Sequence, residues 1–203
     1  QSTFFFTGLI VFAVGISLLA LRSMIAMPSV NLWRGGEGSI RIGFSTASIS
    51  LLFALAAFGW SYLITPKALD SILYHDVLFW GGGHVLQFTY TLLMSAGWLW
   101  LADACGAKIP LTPRVASFFF ILGLLPVFYV PIIYLSYNGV MGDHMGQFTL
   151  LMGVAVSFAA VPLGLAALYG VMVGGRTSAT APQRSALLSS MLLFIVGGGI
   201  GLM

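Results

Sequence analysis

Residues 72–84 read Ile72-Leu73-Tyr74-His75-Asp76-Val77-Leu78-Phe79-Trp80-Gly81-Gly82-Gly83-His84, and the chain stays mostly apolar from there to Ala102. A run of this length covers the ~30 Å of a bilayer's hydrocarbon core. A backbone in lipid must satisfy its own hydrogen bonds, so it crosses as a helix or as a strand of a closed barrel. Uninterrupted apolar residues predict the helix, since barrel strands alternate polar and apolar positions. Within this span His84 is an isolated imidazole. It needs a partner, and both a packing hydrogen bond and a metal ion serve.

The rest of the chain follows the same rule. Charged residues make up 6% of the 203 residues and apolar ones 59%, with a mean hydropathy of +1.03. Soluble domains carry roughly 25% charged residues. Six membrane spans are expected, at about 4–26, 44–65, 76–102, 115–137, 147–172 and 185–203. Turn chemistry separates them: Pro28, Gly35-Gly36, Thr65-Pro66, Pro110 with Pro113, Asn138-Gly139, and Gly174-Gly175 through Pro182. The connections are too short for a soluble domain. The expected fold is an all-α membrane protein, one polytopic domain over residues 1–203. Gln1 is not an initiator, no signal peptide precedes the first span, and the last span ends without a polar tail. These ends suggest an internal piece of a longer chain.

Lysine and arginine set the orientation. Arg22, Arg34, Arg41, Lys108, Arg114, Arg176 and Arg184 fall at odd-numbered connections, and only Lys67 falls at an even one. Seven against one predicts that the odd connections are cytoplasmic. A bacterial inner (cell) membrane is the expected location. The basic balance belongs to these loops and speaks for the lipid bilayer, with no nucleic acid as partner. Cys105 is the lone cysteine, which excludes an internal disulfide or a thiolate metal cluster.

This orientation puts all three histidines on the outer side. His75 is at the mouth of the third span, His84 roughly a third of the way in at ~1.5 Å per residue, and His144 in the fourth connection. Asp76, Trp80, His84, Gln87, Thr91, Ser95 and Trp98 recur at steps of three or four, so they share a helix face. That face is expected to meet protein, water or a cofactor; a polar seam between two helices is the plain alternative. Gln87, Thr91 and Ser95 suit either a water chain or bonds to their own helix carbonyls. Gly81-Gly82-Gly83 costs helix stability, about 1 kcal/mol per glycine relative to alanine. Such a price is tolerable where a flat macrocycle or a neighbouring helix approaches the backbone closely.

The segment from Ile72 to His84 resembles the start of the sixth helix of subunit I in the haem-copper oxidase superfamily: an Ile-Leu-Tyr run, then Leu-Phe-Trp, three residues, and histidine. Phe148-Thr149 with Val161-Pro162-Leu163-Gly164 is similar to the eighth helix, and Leu193 to Gly201 to the ninth. The resemblance implies that the six spans are helices four to nine of a twelve-helix subunit. It implies copper ligation by His84, with Trp80 beside it in the catalytic site. It further implies haem in the full-length parent, bound by ligands outside this piece, and reduction of oxygen to water. Other oxidase subunits and an electron donor such as a cytochrome c or a quinol would be the partners.

The departures bear on function. Phe88 stands where most oxidases have tyrosine and bacterial nitric oxide reductases often have glutamate, and Leu86 stands where many members have glutamate. Ala166 is near the place of a proton-channel lysine. The family's histidine pair at the end of the seventh helix has no match at Tyr134 to Asn138; His144 follows as either a shifted metal ligand or a loop residue. The missing tyrosine and lysine also suit a nitric oxide reductase-like member, with non-haem iron at His84 in place of copper. A non-catalytic scaffold or small transporter, with His84 in a polar seam, is the alternative from another class. Pro126, Pro131 and Pro162 suit kinked helices in any of these.

Overall fold

In the computed structural model, which describes residues 3–26, 36–174 and 180–201, all regular structure among those residues is helical. The helices are α1 (Thr3–Ile25), α2 (Gly36–Ile64), α3 (Ser71–Ala104), α4 (Pro113–Leu124), α5 (Val130–Leu135), α6 (Met141–Ala155), α7 (Ser157–Val173) and α8 (Ala181–Gly201). A 3-10 turn, Leu125–Tyr129, joins α4 to α5. Five stretches are long and apolar enough to cross a membrane: Thr3–Ile25, Glu37–Ile64, Ser71–Ala104, Pro113–Leu135 and Met141–Val173. The chain is therefore a helical protein of integral-membrane character. The sixth expected span corresponds to α8, which opens on the polar Gln183-Arg184-Ser185 and becomes apolar after it.

The helices start earlier than hydropathy alone suggests, and two of them, α3 and α4, have side-chain caps at their starts. Asp70 caps α3 by accepting from the Ile72 and Leu73 amides at 2.9 and 3.1 Å. Thr112 caps α4, with Pro113 at its first position. Glu37 and Arg41 pair across one exposed turn of α2 at 3.5 Å. Prolines break the long spans locally. At Pro126 the ladder tightens to 3-10 before α5 resumes, and the α6–α7 span is interrupted at Val156, within two turns of Pro162.

Helix α3 is the hub, packing against α2, α4, α6, α7 and α8. It runs antiparallel to α2: Gly43 lies against Ala96, and Ser50 reaches the Val85 carbonyl. Side-chain hydrogen bonds join the helices where no hydrophobic force distinguishes helix from lipid. Thr89 donates to Ser50 at 3.0 Å, and the Trp98 indole donates to Ser190 on α8 at 2.8 Å. One core cluster gathers Leu92, Ala96, Leu99, Phe120 and Leu163. A second, toward the Ser71 end of α3, gathers Val85, Phe88, Val127, Ile133 and Phe148. Helix α1 is different: Ala20 alone is buried in it, and it presents Phe4, Ile10, Phe12 and Leu18 outward.

Lys67 and Lys108 lie beyond opposite ends of α3, both exposed; the helix between them, 34 residues, is about 51 Å long. Arg34 and Arg176 lie outside the described residues. So do Pro28, Gly35 and Gly175.

Candidate functional site

The end of α3 that begins at Ser71 carries His75 and His84, and α6 brings His144 to the same level. The link is explicit: the Trp80 indole Nε1 donates to the Met145 backbone carbonyl at 3.0 Å. The helix packing thus places the three histidines toward the Ser71 end of α3.

Trp80 and His84 lie in contact one turn apart on α3, with ring centroids 4.8 Å apart and planes tilted by 36°. Both are half-buried. His84 Nδ1 sits 2.8 Å from the Trp80 carbonyl. A carbonyl only accepts, so Nδ1 carries the proton in the neutral ring, and Nε2 keeps its lone pair. The partner that fixes the tautomer is thus the backbone of Trp80. Nearby polar side chains do not take that role: Tyr137 packs on His144, and Gln87 is exposed.

The polar stripe divides along its length. Asp76 and Gln87 are exposed, Trp80 and His84 half-buried, and Thr91, Ser95 and Trp98 buried. Trp98 acts as a seam residue through Ser190. Ser95 Oγ is buried with no hydrogen-bond partner among the described residues.

The glycine run also divides. A Cβ on Gly81 would collide with the Tyr134 hydroxyl and the Phe148 ring, and one on Gly82 with the Phe58 ring. A Cβ on Gly83 would meet nothing within 4 Å. Neighbouring helices, through their aromatic side chains, therefore occupy the space over the first two glycines.

His144 is a correction. It is expected in a connection, but it lies in the second turn of α6 and is 4% exposed. The helix begins at Met141 because the chain turns at Asn138-Gly139: Gly139 has φ +85°, and the Val140 amide bonds to Asn138 Oδ1 at 3.0 Å. The His144 ring is enclosed by Tyr134, Tyr137 and Phe148 at 5.0, 4.9 and 5.2 Å. Its Nδ1 has no hydrogen-bond partner among the described residues. His75 is sandwiched between Phe6 and Phe79 and bonds to the Ser71 carbonyl at 2.6 Å.

Tyr134 is the residue that sequence reasoning missed. Its hydroxyl donates to the Ala57 carbonyl at 3.0 Å and accepts from Ser61 at 2.7 Å, while its ring stacks on Trp60 at 5.1 Å. It ties α5 to α2 and closes over Gly81. Its partners are a backbone carbonyl and a hydroxyl 73 residues away, so no local pattern could have found it.

The donor chemistry can be weighed against a copper ion. A neutral imidazole is a good copper ligand, and His84 offers Nε2 in that state. His144 offers an unpaired nitrogen, but its ring neighbours are aromatic. Among the described residues no three of His, Cys, Asp and Glu come together as a metal site. His84 therefore fits as one ligand, and the described side chains do not by themselves complete a coordination shell.

No protein-family model and no solved structure matches the chain. The chain is similar to the uncharacterized protein RP382 of Rickettsia prowazekii (strain Madrid E), with 29% identity over 100 residues. The match covers 44% of this chain and 19% of that protein, so it spans about a fifth of the length of the curated relative.

Proposed function

We propose that this chain is the central membrane portion, helices four to nine, of a haem-copper oxidase-like subunit I. Its parent would take electrons from a cytochrome c or a quinol, in a bacterial inner membrane, and reduce oxygen to water. The observation that carries the reading is the Trp80–His84 pair: the two rings are in contact, and the imidazole is held with Nε2 available. The resemblance of residues 72–84 to the family's sixth helix supports it. His84 would hold the metal through Nε2, and the Trp80 carbonyl would hold the ring in the ligating tautomer. The metal would supply a redox centre beside a haem bound by residues outside this chain. His144, set in aromatic rings, would be a ligand only if its ring turned out of that pocket.

A second reading has its own observation. The rings filling the space over Gly81 and Gly82 make this part of α3 a packing seam. In that case the chain is a membrane scaffold with no metal at His84. Metal and haem analysis of the purified full-length protein separates the two. Copper with haem, lost as copper in His84→Ala while the fold persists, supports the oxidase. Non-haem iron in place of copper makes it reductase-like. Full metal content and turnover in His84→Ala would refute the central claim and leave the scaffold.

A further inference from the structure

We propose that the cavity at the Ala104 end of α3 binds the zwitterionic headgroup of phosphatidylethanolamine, with its ammonium on Asp103 and its phosphate at the starts of α2 and α4. The proposal is independent of the redox reading. The cavity holds about 220 Å³ between these three helix ends, and Ser39, Leu99, Asp103, Ile109, Leu111 and Pro113 line it. Each of the three ends closes a stretch long and apolar enough to cross a membrane. The cavity therefore lies at headgroup depth.

Its walls are pinned from behind. The chain leaves α3 through Gly106, at φ +69°, and the Ala107 amide bonds back to the Ala102 carbonyl at 3.0 Å. Helix α7 backs the connection so closely that a Cβ on Gly170 would stand 3.2 Å from the Lys108 carbonyl oxygen.

The cavity is negative on one side and positive on the other. Asp103 stands in the last turn of α3, which holds no basic residue. That turn already carries partial negative charge from its carbonyls. The Asp103 side chain is exposed and makes no hydrogen bond or ion pair among the described residues. Across the cavity, Ser39 and Pro113 belong to the first turns of α2 and α4, where unpaired amides favour an anion. Glu37, the acid of α2's first turn, is held by Arg41 at 3.5 Å. Arg114, exposed in the first turn of α4, has no acidic partner among the described residues. A simple cation would satisfy Asp103 and leave the helix starts unmet, and a simple anion would do the reverse. A primary ammonium joined by a short carbon link to a phosphodiester meets both. Its N–H groups donate to the carboxylate, and Leu99, Ile109 and Leu111 suit the carbons.

The test is native mass spectrometry of the full purified chain, offered phosphatidylethanolamine, phosphatidylcholine and phosphatidylglycerol in equal amounts. Phosphatidylethanolamine should be retained several-fold above the other two, because the choline head has no N–H donor and the glycerol head no cation. Asp103→Asn should lower that retention several-fold while leaving the melting temperature without added lipid unchanged, since Asp103 makes no internal bond. Asp103→Lys should shift the preference to phosphatidylglycerol, a gain that unfolding cannot produce. Asp143→Asn, at an exposed acid near the other end of the bundle, should change nothing. Equal retention of the three lipids, a preference of the parent for either of the others, or undiminished phosphatidylethanolamine in Asp103→Asn each overturns the proposal.

Discussion

The indole nitrogen of Trp80 donates to the main-chain carbonyl of Met145 at 3.0 Å, across two helices and 65 positions of sequence. This bond sets the level of α6 against α3. It also steadies the residue whose own carbonyl holds His84.

Trp80→Phe keeps an aromatic ring and removes the donor. The Met145 carbonyl still accepts from Thr149, so no acceptor is orphaned. Stability should fall by about 0.5–1.5 kcal/mol, the usual range for a hydrogen bond of this kind. Unfolding followed in mixed micelles measures it, and no loss at all would mean that the α3–α6 bond does not form in the membrane.

Gly81 and Gly83 should respond in opposite directions to the same substitution. Gly81→Ala drives a methyl into Tyr134 and Phe148, a clash of the kind that costs about 1–3 kcal/mol. Gly83→Ala meets open space and should gain up to about 1 kcal/mol from the better helix former. Comparing the two melting temperatures checks this. Equal shifts would contradict the packing over α3.

His144→Phe tests the aromatic pocket. The ring space is lined by Tyr134, Tyr137 and Phe148, and the substitution removes a buried nitrogen that has no partner. An unsatisfied buried polar group costs about 1–3 kcal/mol, so the variant should be at least as stable as the parent. Its metal content should stay unchanged. A fall in metal without a fall in stability would instead make His144 a ligand.

Orientation is checked at the two exposed lysines that flank α3. With the native Cys105 removed, a cysteine at position 67 should react with an impermeant maleimide added outside intact cells. One at position 108 should react only after the membrane is opened. The expectation rests on the excess of Lys and Arg at the odd connections, and outside labelling at position 108 would sink it.

Much of the fold was legible in the sequence because lipid imposes one rule on every span. A long apolar run must be a helix, and prolines, glycines and charges mark where it ends. The contact of Trp80 with His84 was legible too, because four residues is one helical turn, though the rings are tilted rather than stacked. The tertiary structure decided the rest. Helix starts moved outward, those of α3 and α4 with side-chain caps, and His144 entered a helix because Gly139 and Asn138 complete the turn before it. Which glycines are covered, which end of the polar stripe is buried, and the placing of Tyr134 over Gly81 depend on contacts between residues far apart in the chain. The His84 tautomer hangs on a backbone carbonyl, a group that every residue carries and that no sequence pattern can single out.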